Sequence, residues 1–473
     1  MDDLRRRILR DLLQADDITL SDDQEEALRT FVTFMKSDEE RSAFLLTGSA
    51  GTGKTFLISL FTELLRKSGF KVILLAPTGR AAKVITRRTR RLAYTIHHHI
   101  YSPREDFSGD MWFERKPNKE PANTVYVVDE ASMIGDKAED GMPGSLLRDL
   151  IAYVYQDHET RKLIIVGDPV QLPPVGFSDS PALDPIRLER TGDLTLYHTH
   201  LTEVKRQQAD SGVLENAVLI RDAFLSSTPE HTRIEPNRDV QVMDQAWEAL
   251  ETYMGYYQEG NLDRVIFITY SNYQAARINQ AIRAQLHHTQ EPLTSSDLLM
   301  VVRNNYAWGD PKRMPFIANG EMGVVRRVLS DEPEKRYGLT WMDVEIEFQD
   351  NRGEAYIIEC KVILDLLSAK QPQLDSTTFG QVIQARRIEY ASIAPSRAAE
   401  LLRTDPYINA LQVKYGYAVT GHKSQGGQWE NVLINFEPDY GQDALAHIRW
   451  VYTVFTRAES RVFLLNCPFL GDT

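Results

Sequence analysis

Five short stretches of the chain are dominated by apolar, often β-branched residues and bounded by polar residues, glycine or proline. They are Ser42–Thr47 (SAFLLT), Lys71–Ala76 (KVILLA), Thr124–Val128 (TVYVV), Lys162–Val166 (KLIIV) and Arg264–Ile268 (RVIFI). Runs of this kind predict strands buried on both faces, as in a parallel sheet. Helical spacing lies between them, over Thr55–Ser68 and Gly79–Thr89. Strand–helix alternation predicts an α/β fold with a central parallel sheet. From about Leu293 to Thr404 the pattern alternates more closely, as in Met342–Phe348 (MDVEIEF) and Glu354–Glu359 (EAYIIE), with Gly, Pro and Asn between runs. That predicts a small antiparallel β module. An α/β signature returns at Tyr417–Ile434, so the module reads as an insertion in a second α/β domain. Between His98 and Pro121, Phe107-Ser108-Gly109-Asp110 carries a turn signal and Met111-Trp112-Phe113 returns as a strand, which predicts a β-hairpin bearing Tyr101, Phe107, Trp112 and Phe113.

Composition narrows the class. With 473 residues, 42% hydrophobic and 26% charged, the chain is long enough for about two to four domains and too apolar for general disorder. No apolar run approaches the ~18 residues of a membrane-spanning helix, and MDDLRRRILRDLLQADD lacks the apolar core of a secretory signal. Cys360 and Cys467 make neither a disulfide scaffold nor a cysteine-rich zinc site. A cytoplasmic protein is expected. The net charge of -13 weighs weakly against nucleic acid, but a local track decides that question, and Arg80, Lys83, Arg87, Arg88, Arg90 and Arg91 form one without an acid among them. A solvated helix face reads equally well from charge alone.

The strongest chemical signal is Gly48-Ser49-Ala50-Gly51-Thr52-Gly53-Lys54-Thr55, which fits G-x-x-x-x-G-K-[ST] with a strand before and a helix after. Glycines let the backbone wrap phosphates, N–H groups point inward, Lys54 reaches the β- and γ-phosphates and Thr55 ligates Mg²⁺. Next is Val127-Val128-Asp129-Glu130, an apolar strand ending in two acids at the carboxyl edge of a sheet. Alone such a pair is mostly structural. Downstream of a P-loop, Asp129 suits the Mg²⁺ shell and Glu130 the attacking water, which makes nucleoside triphosphate hydrolysis the working chemistry. Third is Gly167-Asp168-Pro169-Val170-Gln171-Leu172-Pro173-Pro174-Val175, where two prolines stiffen a loop whose Gln171 could sense the γ-phosphate. His97-His98-His99 is set aside as a zinc site, because three consecutive residues cannot all point one way.

In order and approximate spacing from Thr19 to Leu465, these motifs and several others resemble a superfamily-one helicase of the RecD-like and Dda-like branch. Leu20-Ser21-Asp22-Asp23-Gln24 resembles the segment whose glutamine reads adenine. Ala76-Pro77-Thr78-Gly79-Arg80-Ala81-Ala82-Lys83 and Thr95-Ile96-His97 resemble DNA-contacting motifs. Leu201-Thr202-Glu203-Val204-Lys205-Arg206-Gln207 resembles the segment bringing an arginine to the γ-phosphate. Asn319-Gly320-Glu321-Met322-Gly323 resembles the start of the family's small β-barrel. Tyr417-Ala418-Val419-Thr420-Gly421-His422-Lys423-Ser424-Gln425-Gly426 resembles the motif coupling nucleotide to DNA, and Tyr452-Thr453-Val454-Phe455-Thr456-Arg457-Ala458 the last motif with its second arginine.

The resemblance implies two RecA-like P-loop domains with parallel sheets, a hairpin acting as a strand-separating pin, and a Src-homology-three-like β-barrel insertion. It implies ATP between the two domains, with Lys54, Thr55, Asp129, Glu130 and Gln171 from the first and Arg206 and Arg457 from the second. Gln24, Gly48 to Thr55 and Gly426 would contact nucleotide. Thr78, Arg80, His97, Phe107, Trp112, Thr420, His422 and Lys423 would contact DNA. Expected boundaries are 1–95 and 121–195 for the first domain, 96–120 for the pin, 196–290 and 411–473 for the second domain, and 291–410 for the barrel. The expected activity is Mg-ATP-driven 5′ to 3′ movement on single-stranded DNA and unwinding at single-strand/duplex junctions, in repair or recombination. A monomer is the family expectation, no protein partner is identified from the sequence, and no membrane association is expected. Two readings stay beside it: an RNA-directed or protein-remodelling translocase on the same motor, and a nucleotide-dependent binding switch without turnover. The chain departs from the family pattern at Phe455 and Gly421, where a smaller and an apolar residue are usual. Residues 1–17 carry no motif.

Overall fold

The computed structural model describes residues 20–105, 111–138, 142–204, 211–228, 231–310, 313–314, 316–350, 352–437 and 443–470. The chain divides into two compact units: Met1–Ile234 with Gly441–Thr456, and Glu235–Tyr440 with Arg457–Thr473.

In the first unit the strands are β1 (Ser42–Gly48), β2 (Lys71–Ala76), β3 (Ala93–Thr95), β4 (Tyr101–Glu105), β5 (Met111–Arg115), β6 (Thr124–Val128), β7 (Lys162–Gly167) and β8 (Thr195–Leu201). Six form one sheet in the order β3-β2-β6-β7-β1-β8, with every pairing parallel. The four predicted strands of this region are β1, β2, β6 and β7, the centre of the sheet. Period-two alternation divides their side chains between two cores. Leu45, Leu75, Val128 and Ile165 enter one; Phe44, Leu46, Val127 and Ile164 enter the other. The second core is closed by helices Asp22–Lys36 and Lys54–Lys67, where Phe31 and Phe61 stack at 4.1 Å. Each such buried ring contributes roughly 1.5–3 kcal/mol over exposure, which fixes the helices on the sheet.

β8 runs in register with β1 along its whole length, from Ser42↔Thr195 to Gly48↔Leu201. The division expected at 195/196 therefore falls inside a strand of the first sheet, and the chain as far as Ile234 packs with the first unit. β4 and β5 pair antiparallel as the predicted hairpin. Its turn, with Phe107, lies outside the described residues.

In the second unit the strands are β9 (Val240–Met243), β10 (Val265–Thr269), β11 (Leu298–Val301), β12 (Met322–Val328), β13 (Glu334–Arg336), β14 (Leu339–Gln349), β15 (Ala355–Ile363), β16 (Leu411–Tyr415), β17 (Ala418–Thr420), β18 (Trp429–Asn435) and β19 (Ala458–Leu465). A second all-parallel sheet has the order β17-β10-β18-β19-β9. The β module is β12-β11-β16-β15-β14, and the β12–β14 pairing closes it into a five-stranded barrel. Closure removes the free edges of a small sheet. The module extends through Tyr415, because β16 bonds both β15 and β11. Among the described residues no helix is long and apolar enough to cross a membrane.

Candidate functional site

β1 is buried along its full length and delivers the chain to the P-loop at the carboxyl edge of the first sheet. Gly51 and Gly53 take φ of 79° and 88°, the left-handed region that L side chains avoid. Gly53 is also the N-cap of helix Lys54–Lys67, and no side chain caps that helix. Its first turn lies at the positive end of the helix, where an anion is favoured. Lys54 Nζ donates to the carbonyls of Gly48 at 2.6 Å and Ser49 at 2.7 Å, and lies 3.9 Å from Asp168 Oδ2. Thr52 Oγ1 donates to Ser49 O at 2.9 Å, which closes the loop on itself. Thr55 opens the second position of the helix.

Gln24, the residue expected to read adenine, bonds the P-loop backbone. It is fully buried, its Nε2 donates to Thr52 O at 2.9 Å, and its Oε1 accepts from Ser21 N at 3.3 Å. A Cβ on Gly53 would lie 2.3 Å from that amide nitrogen. In this structure Gln24 braces the P-loop from below. Its neighbour Asp23 accepts from Thr202 N, Thr202 Oγ1 and Glu203 N at 2.6, 2.8 and 2.9 Å, fixing the start of the segment that leads to Arg206. Arg206 itself lies outside the described residues, and its flanking elements belong to the first unit, not the second.

Asp129 and Glu130 follow β6 at the same edge. Burial, and then the charge of Glu130, push the Asp129 carboxyl up to about 7. Its Oδ1 accepts from Glu130 N at 2.8 Å. A divalent cation would relieve this crowding of negative charge, so Thr55 and Asp129 fit a hard metal with oxygen ligands. Glu130 sits at φ 54°, ψ 37°, left-handed for a residue with a Cβ. Such backbone strain, of order 1–3 kcal/mol, persists where surroundings enforce it, commonly at functional sites. Gln171 is 5% exposed, and its Oε1 has no hydrogen-bond partner among the described residues. A buried acceptor left open beside a P-loop edge is suited to a polar ligand.

The expected DNA-contacting residues divide. Thr78 caps helix Gly79–Thr89 by accepting from Ala81 N at 3.2 Å, and Arg80 is half-buried on its first turn. Of the basic track, Arg91 pairs with Glu63 at 3.5 Å. His97 lies in the helical turn Ile96–Ile100, 5.8 Å from the Tyr101 ring, and burial lowers its pKa to about 4. It is neutral near pH 7 and would meet a strand as a ring or hydrogen-bonding group, not as a cation. On the hairpin, alternation turns Phe113 toward the core beside Tyr101 and leaves Trp112 42% exposed.

In the second unit, Thr420 ends β17, His422 is exposed, and Lys423 Nζ donates to Asn319 Oδ1 at 2.6 Å. The pocket beside them is lined by Asn272, Asn279, Met300, Lys414, Thr420 and Lys423, among others. Burial lowers Lys414 and Lys423 to about 8, and Lys414 further depresses Lys423. Gly426 takes φ 72°, and the next residue, Gly427, receives an Nη1 hydrogen bond from Arg457 at 3.3 Å. The two motifs carrying Gly426 and Arg457 therefore meet within this unit.

Sequence reasoning misses three residues. Asp168, 1% exposed, lies in a motif but shows no role there; an acid directly after a buried strand is the available signal. Lys414 lies in a barrel strand with no motif around it. Tyr452 bonds Asp168 across 284 positions, a separation that no local pattern reveals.

Residues 19–232 match the model of the AAA domain family AAA_30, and residues 415–465 match the UvrD-like helicase C-terminal domain. The chain is 33% identical over 175 residues to the ATP-dependent RecD2 DNA helicase of Deinococcus radiodurans, covering 37% of this chain and 21% of that protein. It is 27% identical over 203 residues to the ATP-dependent DNA helicase dda of Enterobacteria phage T4, covering 41% of each. The chain thus spans less than half the length of these relatives. A crystal structure of a Pif1 helicase from Bacteroides with ADP-AlF3 and single-stranded DNA aligns with 96% of this chain and 94% of its own, at 16% identity and a TM-score of 0.49.

Proposed function

Because the chain belongs to the superfamily-one helicases of the RecD-like and Dda-like branch, we propose that it hydrolyses Mg-ATP to move on single-stranded DNA and unwind duplex DNA. The observation that carries the chemistry is the convergence at one sheet edge: the P-loop, the strand-end pair Asp129–Glu130 and the buried Gln171. In that reading Lys54 leaves the Gly48 and Ser49 carbonyls for the β- and γ-phosphates. The uncapped helix end and the P-loop amides hold the phosphate oxygens. Thr55 and Asp129 would hold Mg²⁺, which supplies neutralisation of phosphate charge when bound. Glu130 orients the attacking water and accepts its proton, and Gln171 senses the terminal phosphate. Arg206 and Arg457 add positive charge to the transferring group, the role of arginine fingers elsewhere.

The DNA track of this reading comprises Thr78, Arg80, His97, Thr420, His422 and Lys423, with Lys414 added from the pocket. Basic groups hold phosphates, and exposed aromatics stack bases for about 1–3 kcal/mol each. Among the described residues of the hairpin, Trp112 is an exposed aromatic available for a pin, beside Phe107 of the turn in this reading. Movement is assigned 5′ to 3′ by family likeness.

The test is steady-state ATPase activity with Mg²⁺, alone and with single-stranded DNA, duplex DNA or single-stranded RNA. Strong stimulation by single-stranded DNA is expected, and forked duplexes with 5′ or 3′ tails then report direction. Stimulation by RNA alone overturns the DNA assignment. Absence of turnover under all conditions overturns the motor.

A further inference from the structure

Tyr452 lies on helix Ala444–Phe455, which belongs to the first unit although its sequence follows the second sheet's strand β18. The residue is 1% exposed. Two bonds of its hydroxyl have forced directions. Ala50 N, an amide of the P-loop, can only donate, so the hydroxyl accepts there at 2.8 Å. Its one proton is then given to Asp168 Oδ2 at 2.7 Å. Asp168 Oδ1 already accepts from Val170 N at 3.0 Å. The next cation within reach of Oδ2 is Lys54 Nζ, at 3.9 Å.

This arrangement creates a competition. Lys54 is useful to a nucleotide only if its ammonium is available to phosphate. A buried carboxylate short of a donor would draw that ammonium in, since charge-assisted bonds strengthen away from water. The tyrosine proton satisfies Asp168 and leaves the lysine to the loop carbonyls, which a phosphate can outbid. The neighbouring residue extends the arrangement: Thr453 Oγ1 accepts from Leu172 N at 2.8 Å, one residue past Gln171. Arg449 Nη2 donates to Asp179 Oδ1 at 2.8 Å and anchors the helix to the same loop. One helix thus touches the P-loop, the end of β7 and the segment beside Gln171.

We propose that Tyr452 is a positioning residue for Lys54: its hydroxyl satisfies Asp168, so that the ammonium remains free to bind the transferring phosphate. The inference rests on the ATP-hydrolysis reading above. Tyr452 neither gives nor takes a proton in the reaction.

The experiment is steady-state ATPase of the full chain with single-stranded DNA, comparing wild type, Tyr452→Phe, Asp168→Asn and the double variant. Tyr452→Phe is expected to lower kcat about tenfold, the size of one hydrogen bond. Asp168→Asn removes the charge that would capture Lys54, so the double variant is expected to run within about twofold of Asp168→Asn alone. A merely structural role for the hydroxyl gives no such rescue. Should Tyr452→Phe fail to fold, the comparison of the double variant with Asp168→Asn carries the same test. Wild-type turnover in Tyr452→Phe, or multiplying losses in the double variant, overturns the inference and leaves the ATPase reading standing. A wild-type chain without turnover overturns that reading and this inference together.

Discussion

At the carboxyl ends of β1, β6 and β7 the first sheet presents a glycine loop, a lysine and three carboxylates. At the carboxyl ends of β10 and β17 the second sheet presents hydroxyls, amides, exposed tyrosines and, in the adjoining pocket, two lysines. Thr269 is buried and bonds Ser271 O at 3.0 Å, Ser271 caps helix Asn272–His287, and Tyr270 and Tyr273 are exposed. Both sheets are wholly parallel and buried through their centres, so strand architecture does not separate the two. The difference lies in the first residues after each strand. A helix behind Gly53 with no side-chain cap puts its positive end at an anion that carries its own metal. A helix capped by Ser271 has used one of its first-turn donors internally, and its edge offers cations and rings suited to a phosphate chain with bases. In the proposed reading, the same fold provides a place for hydrolysis and a place for grip, set by a few loop residues.

The largest expected effect breaks the first edge alone. Lys54→Ala should reduce ATP turnover by at least about a hundredfold, as removal of a charge that stabilises the transition state does. Single-stranded DNA binding, measured by fluorescence anisotropy without nucleotide, should stay within about twofold. A collapse of both would mean that the two edges are not chemically separate. Glu130→Gln comes next. It keeps shape and removes the base, so kcat should fall about 10²–10⁴-fold while the KM for ATP changes little. A raised KM with an unchanged kcat would assign Glu130 to binding instead.

A smaller effect concerns the hairpin. Trp112→Ala should lower unwinding of a forked duplex by roughly five- to a hundredfold if the ring stacks on a base at the junction, in line with about 1–3 kcal/mol per stacked base. Single-stranded DNA-stimulated ATPase should be unchanged. Equal reductions in both assays would give Trp112 to the strand track instead of the fork.

The centre of each sheet is legible because a buried parallel strand leaves a continuous apolar run. β1, β2, β6, β7 and β10 all coincide with predicted runs to within a residue or two. The P-loop and Asp129–Glu130 are legible for a related reason: their chemistry needs contiguous residues at a strand end. β8 is not legible. Its sequence, TLYHTHL, is half-exposed and polar, and only pairing with β1 makes it a strand. Gln24 is legible as a motif residue but not in its bonding, since its bond to Thr52 O spans 28 positions. Tyr452 is likewise legible as a motif residue but not in its bond to Asp168, 284 positions away, and Lys414 lies in no motif. Side chains that act through tertiary partners leave no period in the sequence.

The smallest expected effect tests the second edge by pH. Lys414 and Lys423 share one pocket, and burial lowers both to about 8. A lysine is charged below its pKa and neutral above it. Between about pH 7 and pH 9 these two therefore lose charge while ordinary surface lysines keep theirs. If the pocket holds backbone phosphates, single-stranded DNA affinity at fixed salt should fall several-fold over that range. The salt dependence should become shallower as well, by a slope of ~0.7 for each phosphate no longer neutralised. Lys414→Met with Lys423→Met should show the weaker affinity and shallower slope already at about pH 7, and little further change up to about pH 9. Lys54→Ala should leave this pH profile intact, because its lysine sits on the other sheet. A wild-type profile flat across that range would place the phosphates elsewhere and leave the Lys414–Lys423 pocket a structural feature of the second unit.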